Sequence, residues 1–171
     1  MDAPYPASMR FRTQRRIGFG HSDPAGIAFY PRFFEWFHDA FEEMVEASTG
    51  VGYRTWVMER KLGFPAVQVA CEYRRPVQFG DVADIEVFAS RFTGRSATFE
   101  YRLRQVGQLA ATASVKIVFL DMAMNRPRPF PVDAADGLRV YLEPLDDEAP
   151  QMDRLRSGPV EGEPSRFPSA P

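Results

Sequence analysis

An α+β fold, with one long helix laid against an antiparallel sheet, is what this sequence predicts. Three observations point to it: a strongly amphipathic segment follows Pro31, four alternating apolar–polar runs come after that segment, and short turns, several carrying glycine, separate those runs. With 171 residues, 44% of them hydrophobic, and 21 Lys+Arg against 23 Asp+Glu, the composition is that of one globular domain and excludes a disordered chain. A chain of roughly 150 residues buries about 70% of its unfolded surface, so a single core needs no disulfides. Cys71 is the only cysteine.

The first strand is predicted between Met9 and Phe19, where Phe11, Thr13, Ile17 and Phe19 alternate with Arg10, Arg12, Gln14 and Arg16. Gly18, Gly20, Pro24 and Gly26 then break the chain. Phe34, Phe37, Phe41, Met44 and Val45 recur at helical spacing, opposite Glu35, Asp39, Glu42, Glu43 and Glu46. Pro31 suits the first helical position and Gly50 the stop. Phe33 and Trp36 widen the apolar surface, which predicts a helix enclosed over most of its circumference.

The runs Val67 to Val77, Val82 to Arg91, Arg95 to Gln105 and Leu109 to Leu120 read as strands. Their inward candidates are Val67, Val69, Cys71 and Tyr73; Ala83, Ile85 and Val87; Ala97, Phe99, Tyr101 and Leu103; Ala111, Ala113, Val115, Ile117 and Phe119. The alanines offer shallow seats for bulky helix side chains. Gln78 to Asp81, Thr93-Gly94 and Val106 to Gln108 fit hairpin turns. Beyond Pro127, Pro129 and Pro131, a short helix is expected over Asp136 to Glu143. The domain is thus expected over residues 9–142, with a proline-rich, mobile tail over 143–171.

A net charge of −2 argues against a protein that coats nucleic acid, while leaving arginine clusters available for a phosphorylated small ligand. His21 and His38 are too few for a typical zinc site, so no metal is expected. Every apolar run is broken well short of the eighteen or so residues of a membrane span. The segment Met1 to Arg12 lacks the apolar core of a signal peptide. A cytoplasmic location is the expectation, in keeping with the unpaired cysteine.

Chemistry concentrates in Gly20-His21-Ser22-Asp23-Pro24-Ala25-Gly26-Ile27-Ala28-Phe29-Tyr30-Pro31, immediately before the helix. Asp23 either stabilises a turn or cap, or supplies a carboxylate that attacks a carbonyl or activates water beside helix-terminal N–H groups. Tyr30 precedes a proline and is pushed out of the α region, so its N–H lies outside the helical ladder. Gly26 either forms a turn or lets a ligand approach the backbone. His21, Ser22 and Asp23 contain the residue types of a hydrolase triad, but adjacent side chains diverge, and G-x-S-x-G is missing. Gly18-Phe19-Gly20 lacks the later glycine of a dinucleotide fingerprint. His38, flanked by Phe34 and Phe41, is expected toward the apolar side, either as a hydrogen-bonded histidine or in contact with substrate. Arg91, Arg95, Ser96, Arg126 and Arg128 flank turns, as solvated residues or as phosphate contacts.

The order strand, loop, long helix, four strands, with Ser22-Asp23-Pro24-Ala25-Gly26-Ile27-Ala28-Phe29-Tyr30-Pro31 at the junction, resembles the hotdog-fold acyl-CoA thioesterases, and the 4-hydroxybenzoyl-CoA thioesterase type in particular. The likeness covers Met9 to Leu142. It implies a hotdog fold, a sheet wrapped around one long helix, and a hydrolase that releases a carboxylic acid and free coenzyme A. It also implies that Asp23 is the catalytic carboxylate, as nucleophile or general base, and that the Tyr30 N–H polarises the thioester carbonyl. Gly26 and His38 would then touch the substrate, and Arg95, Ser96, Arg126 and Arg128 would contact the CoA phosphates. Such proteins pair into homodimers or homotetramers with the acyl site at a subunit interface, and need no cofactor beyond the coenzyme A of the substrate. Where the 4-hydroxybenzoyl enzyme aims a carboxylate at the ring hydroxyl, the register here gives His38, which points to another aromatic or medium-sized acyl group. A non-catalytic acyl-CoA-binding protein, or a thioesterase acting on acyl carrier protein, is the alternative on the same scaffold.

Overall fold

The computed structural model describes residues 9–144. In chain order these form β1 (Phe11–Arg16), α1 (Arg32–Thr49), β2 (Leu62–Gly63), β3 (Ala66–Tyr73), β4 (Val82–Phe92), β5 (Ser96–Gln105), β6 (Gln108–Val118), β7 (Leu120–Asp121), β8 (Arg126–Pro127) and α2 (Val132–Arg139). A five-stranded antiparallel sheet has the order β1-β4-β5-β6-β3, and β2, β7 and β8 make a small second sheet. The helix ends where the sequence places it: Pro31 caps its start, and Gly50 closes it at φ 68°, donating its N–H to the Glu46 carbonyl at 2.9 Å.

One side of α1 buries Phe33, Trp36, Phe37, Ala40, Phe41, Met44 and Val45 against the sheet. The receiving face carries Ile85, Val87, Phe99 and Leu103, interleaved with buried Ala83, Ala97, Ala111 and Ala113. Phe37 lies 5.0 Å from Tyr101 and Phe41 5.1 Å from Phe99, centroid to centroid. Each fully buried side chain of this size contributes about 1.5–3 kcal/mol, so packing fixes the helix more than intrinsic propensity does. Enclosure is less complete than the sequence predicts, because Glu35, His38, Asp39, Glu43 and Glu46 remain exposed or half-exposed.

Two strand-level and helix-level expectations are corrected. Val69, Cys71 and Tyr73 pair with Val115, Ala113 and Ala111 and so share the helix-facing side, yet Val67, Val69 and Tyr73 are exposed and Cys71 is half-buried. The reason is topological: β3 is an edge strand that α1 meets at its last residue, where Phe33 stands edge-on to Tyr73 at 5.0 Å, and does not cover along its length. The final helix runs over Val132–Arg139, four residues earlier than expected. Gly137 lies inside it because a Cβ there would sit 2.6 Å from the Ser48 carbonyl oxygen, so glycine permits α2 to cross the end of α1.

The chain past α2 returns to the sheet. Ala89 donates its N–H to the Tyr141 carbonyl, Glu143 donates to the Ala89 carbonyl, and the Glu143 carboxylate is buried against Arg10 at 3.0 Å. Residue 143 therefore belongs to the folded unit, and the remainder of the expected tail, 145–171, lies outside the described residues. No helix among the described residues is long and apolar enough to cross a membrane.

Candidate active site

The loop that carries Asp23 is a small hairpin. Ser22 pairs with Ala28, the Asp23 N–H donates to the Ile27 carbonyl at 2.9 Å, and the Gly26 N–H donates to the Asp23 carbonyl at 3.0 Å. Asp, Pro and Gly at the first, second and fourth places are the preferences of a type I turn, and Gly26 supplies the left-handed residue that lets the strands rejoin, at φ 77°. The hairpin is tied to the segment after β3 by the Ala28 N–H, which donates to the Val77 carbonyl at 2.8 Å.

Within this turn one oxygen of Asp23 is structural, since Oδ1 accepts the Ala25 N–H at 2.8 Å. The other, Oδ2, accepts no hydrogen bond from any described residue. Asp23 as a whole is half-buried. The turn-stabilising and reactive readings of Asp23 thus concern different oxygens and are compatible.

From Phe29 to Phe34 the backbone donors can be followed one by one. Phe29 donates to His21, Arg32 to Phe29, Phe33 to Tyr30 and Phe34 to Pro31, and Pro31 has no N–H. The Tyr30 N–H donates to none of the described residues. Its carbonyl, by contrast, accepts both the Phe33 N–H and the Tyr73 hydroxyl, each at 3.3 Å. An open donor at the start of a long helix is the arrangement that stabilises negative charge on an approaching oxygen. Gly26 has open space above its Cα, so its glycine is required by the turn's conformation and not by crowding.

His38 does not point into the core as expected. Its side chain is 55% exposed, its Nε2 lies 3.1 Å from Glu42 Oε1 one helical turn on, and its ring stands edge-on to Tyr53 at 5.6 Å. It stands at the rim of a cavity of about 400 Å³ between α1 and the sheet, walled by Phe41, Tyr53, Phe64, Tyr101 and Val115 among others.

Arg95, Ser96, Arg126 and Arg128 are brought to one end of the sheet. Phe119 donates to the Arg95 carbonyl and Arg128 to the Phe119 carbonyl, both at 2.9 Å, while Arg126 pairs with Asp121 across β7 and β8. Arg95, Arg126 and Arg128 are exposed; Arg128 also reaches Asp121 at 3.4 Å, and the Ser96 hydroxyl is bonded to that of Thr93 at 2.9 Å. This cluster adjoins the start of β5, the cavity reaches the strand's middle at Tyr101, and the Asp23 hairpin adjoins its end, where Gln105 exchanges hydrogen bonds with Gln78. Ten residues of strand, roughly 30 Å, lie between the cluster and the hairpin. A single chain therefore holds the cluster and the hairpin apart, as two candidate half-sites. Among the described residues no three metal-ligating side chains converge.

Tyr53 and Tyr101 line the cavity, and Tyr73 bonds to Tyr30, without having been singled out by the sequence as site residues. Tyr101 was legible only as an inward position of an alternating strand; its phenol, a polar tip on an apolar body, was the available signal.

Known proteins share both the sequence pattern and the fold. A family model described as the thioesterase-like superfamily matches residues 17–138. The 1,4-dihydroxy-2-naphthoyl-CoA hydrolase of Synechococcus elongatus is 28% identical over 134 residues, covering 78% of this chain and 98% of that protein. Among solved structures, a gentisyl-coenzyme A thioesterase superposes with a TM-score of 0.67 at 24% identity, covering 74% of this chain and 98% of the other. A Staphylococcus aureus protein in complex with CoA superposes at 0.75 and 15% identity, over 94% and 97%. At these identities the structural likenesses establish the shared fold.

Proposed function

Because the chain belongs to the thioesterase-like superfamily and has its hotdog fold, we propose that it hydrolyses the thioester of an aromatic or medium-sized acyl-CoA. The observation that carries the reading is the open Tyr30 N–H, set just past a hairpin whose tip presents the free oxygen of Asp23. Relatives named for hydrolysis of 1,4-dihydroxy-2-naphthoyl-CoA support the aromatic class.

In the proposed reaction the carbonyl oxygen of the thioester accepts the Tyr30 N–H, which stabilises the negative charge that develops on attack. Asp23 Oδ2 either removes a proton from water as the water oxygen bonds to the carbonyl carbon, or bonds to that carbon itself and forms an anhydride that water then opens. The C–S bond breaks and CoA leaves as a thiolate, which takes up a proton in solution. A thiolate is a good leaving group, so a strong general acid is not required. CoA enters as substrate, and no separate cofactor is invoked.

The separation of the half-sites gives the proposed homodimer a chemical purpose. Among the described residues β3 forms one edge of the sheet with an exposed apolar face, with the cavity beside Ala66 at one end and Tyr73, bonded to Tyr30, at the other. Antiparallel pairing of two β3 edges about a twofold near the strand's middle would set the Asp23 hairpin of one copy beside the cavity and the Arg95, Ser96, Arg126 and Arg128 cluster of the second. Those residues would then receive the CoA phosphates. A cytoplasmic setting belongs to the same proposal and rests on the lone thiol of Cys71.

Thiol release from benzoyl-, 4-hydroxybenzoyl-, phenylacetyl- and straight-chain acyl-CoAs, compared between wild type and Asp23→Asn, tests the reading. Robust wild-type turnover that collapses in the variant is expected. The turn bond of Asp23 favours one competing reading, a non-catalytic binding protein; tight acyl-CoA binding without turnover in wild type would select it. Turnover confined to acyl carrier protein thioesters would instead replace CoA as the carrier.

A further inference from the structure

The cavity between α1 and the sheet is walled mainly by apolar side chains, which gives its few polar atoms weight. Tyr101, in the middle of β5, is 3% exposed and its ring packs on Phe37. Its hydroxyl makes no hydrogen bond with any described residue. Tyr53 stacks on Phe64, with ring planes 28° apart and centroids 5.6 Å apart, and its hydroxyl also makes none. His38 differs on both counts, being exposed at the rim and already engaged with Glu42.

Both phenols are held neutral. Burial, reinforced by Glu42, pushes Tyr53 up to about 12, and burial, reinforced by Glu100 and Tyr53, pushes Tyr101 well above the ordinary tyrosine range. Each is therefore a hydrogen-bond donor across the working pH range. An unpaired polar group in an apolar wall discriminates more strongly than the wall itself, because a ligand that offers no partner leaves it unsatisfied.

We infer that Tyr101, assisted by Tyr53 and not by His38, is the residue that reads a polar substituent on the acyl group seated in this cavity. The inference rests on the thioesterase reading for the identity of the ligand and adds to it the group that sets specificity. An acyl ring lying between Phe41, Phe64 and Val115 would direct a ring oxygen to the Tyr101 hydroxyl. An unsubstituted ring would fill the same space and leave that hydroxyl unpaired.

The test compares 4-hydroxybenzoyl-CoA with benzoyl-CoA in wild type, Tyr101→Phe and His38→Gln. Phenylalanine keeps the ring and its contact with Phe37, so folding is preserved, which circular dichroism would verify. Wild type should favour the hydroxylated substrate in kcat/KM by on the order of 10- to 100-fold. Tyr101→Phe should remove most of that preference through the hydroxylated substrate alone, and His38→Gln should leave the ratio in place. Titration calorimetry with the non-hydrolysable thioethers 4-hydroxyphenacyl-CoA and phenacyl-CoA supplies a readout independent of turnover. A hydroxyl preference in binding that depends on Tyr101, without thiol release, would uphold the inference and overturn the thioesterase reading. Brisk hydrolysis with a ratio indifferent to Tyr101, or no preference in wild type, would overturn the inference and leave the reaction standing.

Discussion

Truncating Asp23 in two ways separates its turn bond from its chemistry. The Ala25 N–H donates to Oδ1 at 2.8 Å on an exposed hairpin. A hydrogen bond of this kind contributes about 1 kcal/mol net. Asp23→Ala deletes it, and for a domain of this size a loss of about 1 kcal/mol lowers Tm by roughly 3–4 °C. Asp23→Asn retains a carbonyl oxygen at the same place, and asparagine is as well suited as aspartate to the first position of this turn, so this variant should lower Tm by less than about 1 °C. Neither variant keeps a base or nucleophile at this position, and the loss of a general base costs about 10²–10⁴ in rate. The two variants should therefore be equally inactive and unequally stable. Differential scanning calorimetry and thiol-release kinetics on the same preparations decide it. If Asp23→Asn keeps a tenth or more of the wild-type rate, Asp23 is a turn residue and has no catalytic role. If it melts with Asp23→Ala, the assignment of the Oδ1 bond to turn stability is wrong.

Stability offers three further tests. Val106 occupies the first place of the two-residue turn between β5 and β6 at φ 51°, a conformation hostile to a β-branched side chain, and it is 82% exposed; Val106→Asn should raise stability by about 1 kcal/mol in urea unfolding. Gly137→Ala would push a methyl group to 2.6 Å from the Ser48 carbonyl oxygen, forcing α2 off α1 at a cost of about 1–3 kcal/mol, readable as a lowered denaturation midpoint. Tyr53 keeps its proton in the fold to about pH 12, whereas the unfolded chain loses it near 10. The unfolded state thus binds fewer protons between those values, so stability should fall as pH rises from 10 to 12, and Tyr53→Phe should flatten part of that slope in pH-dependent melting.

Much of the fold is legible in local signals, because Pro31 and Gly50 mark the ends of α1 through their own backbone chemistry and the alternation of β4 to β6 is long enough to fix their faces. What escaped depends on distant contacts. Alternation correctly turned Val69, Cys71 and Tyr73 toward the helix side, but strand order, which no local pattern carries, leaves that edge uncovered. The last helix lies four residues earlier than expected, and only the carbonyl of Ser48, some ninety residues earlier in the chain, explains why Gly137 stands in its interior. The two-residue strands β2, β7 and β8 are shorter than any period can reveal. At the site, Asp-Pro-x-Gly announced the turn and Tyr30-Pro31 the helix boundary, and both stand where the sequence puts them. His38 was misdirected by its aromatic neighbours, since helical spacing alone did not show that Glu42 would hold it at the surface.

The pairing of β1 with β4 bears on how the chain is made. Arg10 meets Glu86 at a separation of 76 residues, so at about 5–20 residues per second of synthesis β1 emerges roughly 4–15 s before its partner. During that interval it is an extended segment with hydrogen-bonding edges and nothing native to bond. Its sequence is suited to the wait: Arg10, Arg12, Arg15 and Arg16 crowd one short stretch with like charge, which discourages the nascent strand from joining strands of neighbouring chains. In the finished molecule three of these cations are recruited, Arg10 by Glu86 and Glu143, Arg12 by Glu86, and Arg15 by Glu43. Residues that guard the first strand against premature partners thus become the clasps that fasten it once the correct one arrives.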